Sequence, residues 1–245
     1  MSLLRETGNR KRWLALAAAL PIALPGAIAG QPQQLDSAAV VEHIDAAVKA
    51  RVDSIAAYTV NEHYAVFRNK DEAHPVAEMT VKTDYRQETG KSYTILSQSG
   101  SNLIRSLVLS AILDNEKHVN LPGVREGAWI TSANYDMKLK SNATEQVGGR
   151  DCLVLSLSPK RKEPYLLAGT LWVDAKSYSI VQVKGTSSKS SSVFTGATDM
   201  MRQYQDVSGF SEATHARAVA SSMLFGETVI TIDYTGYQIQ LHSAK

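Results

Sequence analysis

The chain has 245 residues, of which 44% are hydrophobic and 20% are charged, and its formal net charge is +2. No sustained basic stripe accompanies this near-neutral balance, so there is no electrostatic reason to expect nucleic-acid binding. The single cysteine, Cys152, excludes an intrachain disulfide, and stability must therefore come from the core.

Residues 1–29 have the layout of a secretory signal peptide. A basic start is followed by an apolar run of 12 residues, Trp13–Leu24, and Ala27–Ala29 precedes a glycine. The alternative is an uncleaved anchor, but a membrane span needs roughly 18 or more apolar residues. We therefore expect cleavage after Ala29. Residues 30–245 would then form a single, unlipidated domain in the periplasm, with a formal net charge of −1.

The mature chain opens with a helix and a meander. A helix is predicted from Asp36 or Ser37 to about Ala56, because apolar residues that include Ile55 recur on one stripe after a capping residue. The period then changes to two, and Glu62 falls on the same strand face as its apolar neighbours. The predicted strands are Tyr58–Phe67, Ala77–Tyr85 and Ser92–Ser97.

A second helix is predicted from the turn at Ser99–Asn102 to about Asp114. Its apolar residues cover most of its circumference, which is more than one flat surface can bury. A helix inside an ordinary core gives the same pattern, so the sequence alone leaves its role open.

Strands dominate the rest of the chain. A strand is predicted at Tyr135–Lys140, and three more lie between Gly148 and Gly185, separated by turn residues. In the first of these three strands leucines alternate with smaller residues, whereas the second carries apolar side chains on both faces. The small polar run Lys184–Ser192 is predicted as a loop or a frayed strand end. His215–Phe225 and the alternating residues from Thr228 to Ile239 are predicted as the last strands.

The block from Gly148 to Gly185 resembles the central strands of the periplasmic lipoprotein-sorting (LolA-like) family. The similar features are Gly-Arg-x-Cys at residues 149–152, a Pro-Lys after the first strand, and Gly-x-Leu-Trp-Val-Asp at residues 169–174. The family includes a lipoprotein carrier, its outer-membrane receptor and an envelope-stress sensor domain. The resemblance implies a mainly β (α+β) fold: a strongly curved antiparallel sheet that forms an incomplete barrel, with helices covering its concave side.

Residue patterns for catalysis or metal binding are not found in the sequence. There is no nucleophile elbow, phosphate-binding loop or zinc motif, and the six histidines are scattered. Cys152 lies within a strand and is expected to behave as a small buried hydrophobic residue. We therefore expect no catalytic residue, no metal and no cofactor, and we do not expect an enzyme.

The excess of apolar residues leaves three hypotheses open. The protein is a carrier that holds lipid or lipoprotein acyl chains, a sensor that binds lipid and a membrane protein, or a structural protein with a filled core. The resemblance implies an inner-membrane releasing complex and an outer-membrane receptor as further partners of a monomeric carrier. The residues predicted to line a cavity in the carrier are Val60, Tyr64, Val66, Met79, Val81, Leu107, Ile112, Leu153, Leu155, Leu157, Leu171 and Val173. The strand residues among them share one face of each strand. If the opposite face is the concave one, the neighbouring residue replaces each of them.

Overall fold

The computed structural model describes residues 35–190, 198–222 and 226–243. The predicted signal peptide lies outside these residues, as do the end of the predicted loop at Lys184–Ser192 and the last residues of the strand predicted at His215–Phe225.

The first helix, α1, spans Ser37–Ser54 and begins where the Asp36 carboxylate accepts a hydrogen bond from the backbone N–H of Ala38. It is shorter than predicted. Ile55, which was assigned to the apolar stripe of the helix, is instead the first residue of a strand, and its side chain is buried there. Because Ile55 is β-branched, it suits a strand as well as a helix end, and helical periodicity alone cannot place the boundary.

The second helical region, which we call the three-part helix, runs over residues 102–119. It consists of an α-helical turn at Asn102–Ile104, a π-helical segment at Arg105–Leu109 and an α-helix at Ser110–Val119. Ser101 caps its start by accepting a hydrogen bond from the backbone N–H of Ile104. The π segment is a rare conformation that often marks functional positions in helices. After a turn, the three-part helix is followed by a short 3₁₀ segment at Arg125–Ala128.

Eleven strands are found in the described part of the chain. Lys184 belongs to the eighth strand and not to a loop, because its strand pairs with neighbours on both sides. The strands are β1 Ile55–Arg68, β2 Ala77–Arg86, β3 Gly90–Gly100, β4 Tyr135–Leu139, β5 Glu145–Val147, β6 Arg150–Pro159, β7 Leu167–Asp174, β8 Ile180–Ser187, β9 Asp199–Val207, β10 Phe210–Ser222 and β11 Gly226–Leu241.

These strands form one antiparallel sheet in the order β3-β2-β1-β11-β10-β9-β8-β7-β6-β4, with β5 paired to β6. The mainly β, antiparallel class predicted from the sequence is confirmed. The order is an open path whose ends, β3 and β4, do not pair with each other, so the sheet is not closed.

The core lies on one face of this sheet, which we call the inner face. Strand register places one residue from each of eight neighbouring strands in a single row across it. Both helical regions pack on this face: α1 contributes Val40 and Ile44, and the three-part helix contributes Ile104, Leu109 and Leu113. The residues of the row are Met79, Tyr64, Ile232, Ala216, Arg202, Val183, Leu171 and Leu155.

Candidate functional site

The ten predicted cavity residues that lie on strands all point to the inner face. Four of them, Tyr64, Met79, Leu155 and Leu171, belong to the row described above. The other six lie an even number of residues from these on the same strands, and a strand returns to the same face every second residue. All ten are buried.

The structure divides these residues into two apolar clusters. The cluster under α1 contains Leu153, Leu155, Leu157, Leu171 and Val173. The cluster under the three-part helix contains Val60, Tyr64, Val66, Met79 and Val81. Strands β8 to β11 lie between the strands that contribute these two sets.

The two predicted residues on the three-part helix lie elsewhere. Ile112 is half-buried at the margin of the second cluster. Leu107 is 53% exposed and Leu103, one helical turn earlier, is 58% exposed. The helix therefore presents apolar side chains both to the core and to solvent.

Exposed large apolar side chains gather on this helix and on the neighbouring strand β3. Of the six found among the described residues, five lie between residues 95 and 121. Ile95 pairs with the buried Val81, so it points to the inner face although it lies at the sheet's edge. A concentration of this kind marks a binding surface more often than chance exposure. We call these five residues the apolar patch: Ile95 and Leu96, which point to opposite faces of β3, Leu103 and Leu107 on the helix, and Leu121 just after it.

The two edges of the sheet are unequal. At the β4 edge, the backbone N–H of Leu139 donates to Ser37 Oγ at the start of α1, and the Asp45 carboxylate accepts a hydrogen bond from the backbone N–H of Ser132. The outer edge of β3 pairs with no strand in the described part of the chain. Within β3 the only charged residue is Lys91 near its start, and the stretch from Ser92 to Ile104 contains none, so most of this edge strand lacks the charges that usually protect an edge.

A group of charged side chains lies on the inner face between the two apolar clusters. Arg202, in the middle of the row, has its guanidinium 3.5 Å from the Glu116 carboxylate of the three-part helix. Glu116 also accepts a hydrogen bond of 2.9 Å from Lys91 Nζ, and Lys91 lies 3.8 Å from Glu62. We call these four residues the central polar cluster. Two positive and two negative charges make it neutral overall.

Opposite charges within the central polar cluster stabilise one another. Burial alone would raise the pKa of Glu116, but the Lys91 ammonium and the Arg202 guanidinium outweigh it and lower that pKa from 4.5 to about 2. Burial by itself would lower the pKa of Lys91, yet Glu116 and other nearby groups hold it well above its usual range. Both groups are therefore charged at neutral pH, and they tie the C-terminal half of the three-part helix to β3 and β9.

Hydrogen bonding around Glu62 is incomplete. Its Oε2 accepts a hydrogen bond from the Tyr64 hydroxyl, but its Oε1 has no hydrogen-bond partner among the described residues. Thr83 Oγ1 and the Tyr93 hydroxyl oxygen on the neighbouring strands have none either. Burial also raises the pKa of the Tyr93 hydroxyl, so it remains a neutral donor.

Sequence reasoning missed most of this cluster. The signal for Glu62 was present, since an acidic residue on an apolar strand face predicts a buried charge with a partner. Arg202, Lys91 and Glu116 gave no such signal, because nothing in their local sequence distinguishes them from surface residues. The structure brings them together from three elements.

A groove with a volume of about 1160 Å³ lies between α1 and strands β4 and β6. None of the twelve predicted cavity residues lines it. Its lining includes acidic and basic residues, such as Glu42, Asp136 and Lys138, and several serines. It is a polar surface groove along the covered edge of the sheet.

Two further findings concern the described residues only. No group of three or more histidine, cysteine, aspartate or glutamate side chains among them is arranged to hold a metal ion. None of their helices is long and apolar enough to cross a membrane.

Cys152 is buried and free, as predicted, and burial raises its pKa.

Comparison with known proteins gives structural matches alone. No protein-family model matches the sequence, and no curated protein matches it. Among solved structures, a LolA superfamily protein from Nitrosomonas europaea shares 14% identity over 84% of this chain and 94% of its own, with a TM-score of 0.41.

Two other structures match to a similar degree. A putative outer membrane lipoprotein-sorting protein domain from Vibrio parahaemolyticus shares 14% identity over 80% of this chain and 91% of its own, with a TM-score of 0.45. A DUF1329 family protein from Desulfovibrio piger shares 16% identity over 84% of this chain and 95% of its own, with a TM-score of 0.42. The family that the sequence pattern resembles is thus among the structural matches.

Proposed function

We propose that this protein is a non-enzymatic periplasmic carrier that holds the acyl chains of a lipid or a lipoprotein between its sheet and the three-part helix, for sorting to the outer membrane. The single observation that carries the proposal is the apolar patch. Five exposed leucine and isoleucine side chains lie on β3, on the three-part helix and just after it, and the outer edge of β3 pairs with no strand among the described residues. An acyl chain is the ligand whose chemistry fits such a surface beside an apolar core.

The patch is the entrance in this proposal. An acyl chain first lies against Ile95, Leu103 and Leu107, and then passes under the helix toward the cluster that contains Val60, Met79 and Val81. Each buried CH₂ contributes about 0.8 kcal/mol, so one long chain supplies enough energy to displace the helix from part of its packing. The other predicted cavity residues, under α1, would line the far end of the path.

The three-part helix is built to move at one end in this proposal. Glu116 holds its C-terminal half through Lys91 and Arg202. In its N-terminal half, the hydrogen bonds of the Arg105 and Ser106 side chains stay within the helix. The π segment forms the end of this half and offers an alternative hydrogen-bond register, so residues 102–109 lift while residues 110–119 remain in place.

The finer points of the fold and its setting belong to the same proposal. The sheet acts as an incomplete barrel whose concave side the two helical regions cover. Residues 30–245 form the single mature domain after cleavage at Ala29, and the protein works as a monomer in the periplasm. It would receive its cargo from an inner-membrane releasing complex and deliver it to an outer-membrane receptor.

Binding of a fluorescent fatty acid to the mature protein tests the proposal. The double variant Leu103→Ser/Leu107→Ser should bind at least about tenfold more weakly, because two exposed apolar contacts are lost. Leu241→Ser is the matched control, since Leu241 is equally exposed but lies on β11, the third strand from β3. It should bind as the wild type does.

Native mass spectrometry of protein purified from membranes gives the second test. Co-purified lipid or lipoprotein is the expected result. Ligand-free protein that also takes up no fluorescent fatty acid would overturn the proposal. Loss of lipid binding together with capture of one inner-membrane protein would favour a sensor instead.

A further inference from the structure

Three buried oxygen atoms without hydrogen-bond partners lie together on the inner face. They are Glu62 Oε1 on β1, Thr83 Oγ1 on β2 and the Tyr93 hydroxyl oxygen on β3. Thr83 pairs directly with Tyr93 on one side, and on the other it pairs with Val60, two residues from Glu62. Neighbouring strands lie about 4.8 Å apart, so Thr83 is a neighbour of both, while Glu62 and Tyr93 lie on either side of it, two strands apart.

These oxygens are withdrawn from water. Glu62 is 1% exposed and Thr83 is 0% exposed. A buried polar group without a partner costs about 1–3 kcal/mol, and native proteins contain few of them. Only one other such oxygen, Thr228 Oγ1, is found in the described residues. Glu62 Oε1 has only the ion pair with Lys91 at 3.8 Å, so all three oxygens could take a hydrogen-bonding partner that the described residues do not supply.

The charges around the three oxygens define what that partner is. Lys91 Nζ lies 3.8 Å from Glu62, too far for a hydrogen bond, and is committed to Glu116 at 2.9 Å. The central polar cluster is neutral as it stands, so an added anion would meet the Glu62 carboxylate without a free cation to balance it. An uncharged group that donates one hydrogen bond and accepts others fits the site. It would donate to Glu62 Oε1 and accept from the Thr83 and Tyr93 hydroxyls.

The surroundings of the three oxygens are apolar, which further restricts the kind of ligand that fits. Val60 and Val81, neighbours of these oxygens in the sheet, are buried members of the apolar cluster under the three-part helix. A ligand group held by the oxygens would therefore have apolar surroundings, which suit a group that is attached to a hydrocarbon chain.

We propose that Glu62, Thr83 and Tyr93 form a subsite for the uncharged polar group of an acylated ligand, a hydroxyl or an amide N–H next to the acyl chain, and that this subsite discriminates against free fatty acids. This inference rests on the proposed carrier function and names its ligand class. Discrimination comes from Glu62, because a fatty-acid carboxylate placed at the subsite lies against a buried carboxylate.

A competition experiment on the mature protein tests the inference. A fluorescent acyl probe is displaced at neutral pH by 1-monopalmitoylglycerol in one series and by palmitate in the other. The two competitors share one chain and differ in their polar group. The wild type should bind 1-monopalmitoylglycerol about tenfold more tightly than palmitate, the ratio that corresponds to one hydrogen bond to a charged group.

Two variants locate the effect and a third controls for it. Glu62→Gln should reduce the ratio to less than about threefold by strengthening palmitate binding, because the like-charge contact is removed. Thr83→Val should weaken 1-monopalmitoylglycerol binding about threefold and leave palmitate unchanged. Thr228→Val, at the other threonine whose hydroxyl has no hydrogen-bond partner among the described residues, should change the binding of neither competitor. Thr228 is far from the subsite, because it pairs with Arg68, six residues along β1 from Glu62. Thr83→Val keeps the test decisive if Glu62→Gln fails to fold.

Each outcome has a definite meaning. A wild-type protein that binds both competitors equally, or variants that leave the ratio unchanged, would overturn the subsite while the carrier function stands. The three oxygens would then hold internal water only. A wild-type protein that binds neither competitor would overturn the carrier function, and the subsite with it.

Discussion

The guanidinium of Arg202 on β9 lies 3.5 Å from the carboxylate of Glu116 on the three-part helix, and this contact joins the helix to the middle of the sheet. The same carboxylate binds Lys91 on β3. One acidic side chain thus connects the edge of the sheet, its centre and the helix above them. The stability of that arrangement can be measured directly.

Replacing Glu116 with glutamine should lower the free energy of unfolding at neutral pH by about 2–4 kcal/mol, because Arg202 would lose its carboxylate partner and Lys91 would keep only Glu62, at 3.8 Å. Urea unfolding of the variant and the wild type measures the difference. Asp53→Asn, which removes one member of the exposed Lys49–Asp53 pair, is the control and should change stability by less than about 1 kcal/mol. Equal effects of the two changes would contradict the role given to Glu116.

The same residue predicts how stability depends on pH. The pKa of Glu116 is lowered from 4.5 to about 2 in the folded protein, so its contribution is complete above pH 4.5 and is lost as the pH falls toward 2. The difference in unfolding free energy between the wild type and Glu116→Gln should therefore shrink over this range. A difference that stayed constant from pH 6 down to the lowest pH at which both proteins fold would disprove it.

Two arginine–glutamate pairs of the same geometry but different burial provide a third prediction. Arg51 at the end of α1 makes two hydrogen bonds to Glu212, which is 3% exposed. Arg217 makes two to Glu72 at the surface. Arg51→Ala should cost about 2–4 kcal/mol of unfolding free energy, because it leaves a buried carboxylate unpaired, and Arg217→Ala less than about 1 kcal/mol. Thermal or urea unfolding ranks the two variants, and the reverse ranking would refute the burial argument.

The two halves of the three-part helix should differ in hydrogen exchange. Backbone amides of residues 102–109 should exchange faster than those of residues 110–119, since only the second half is held by the central polar cluster. Mass spectrometry of peptides from each half measures the rates. Glu116→Gln should bring the rates of the two halves closer together. Uniform slow exchange across the helix in the wild type would rule out movement at one end.

Local sequence patterns predicted a large part of this fold. Alternation of Ala77, Met79 and Val81 with polar residues identified β2, and the leucines at every second position identified the buried face of β6. The ten strand residues predicted to line a cavity all lie on the inner face, where the larger apolar side chains gather.

Features that depend on distant contacts could not be predicted in the same way. Lys184 lies in a small polar run that resembles a loop, yet pairing on both sides makes it part of β8. Arg202 stands between methionines and a tyrosine, and its inward direction follows from the register of β9, which its own sequence does not encode. The π segment also lacks a sequence signal, since Arg105–Leu109 suits an ordinary helix equally well.

The unequal edges of the sheet limit how copies of this protein could associate. A strand can join the described sheet at β3, whereas α1 occupies the side of β4 where a second strand would have to join. At the outer edge of β3, the added strand could come from another protein or from a second copy related by a two-fold axis. The open edge of β3 is thus a place where a partner can dock by extending the sheet.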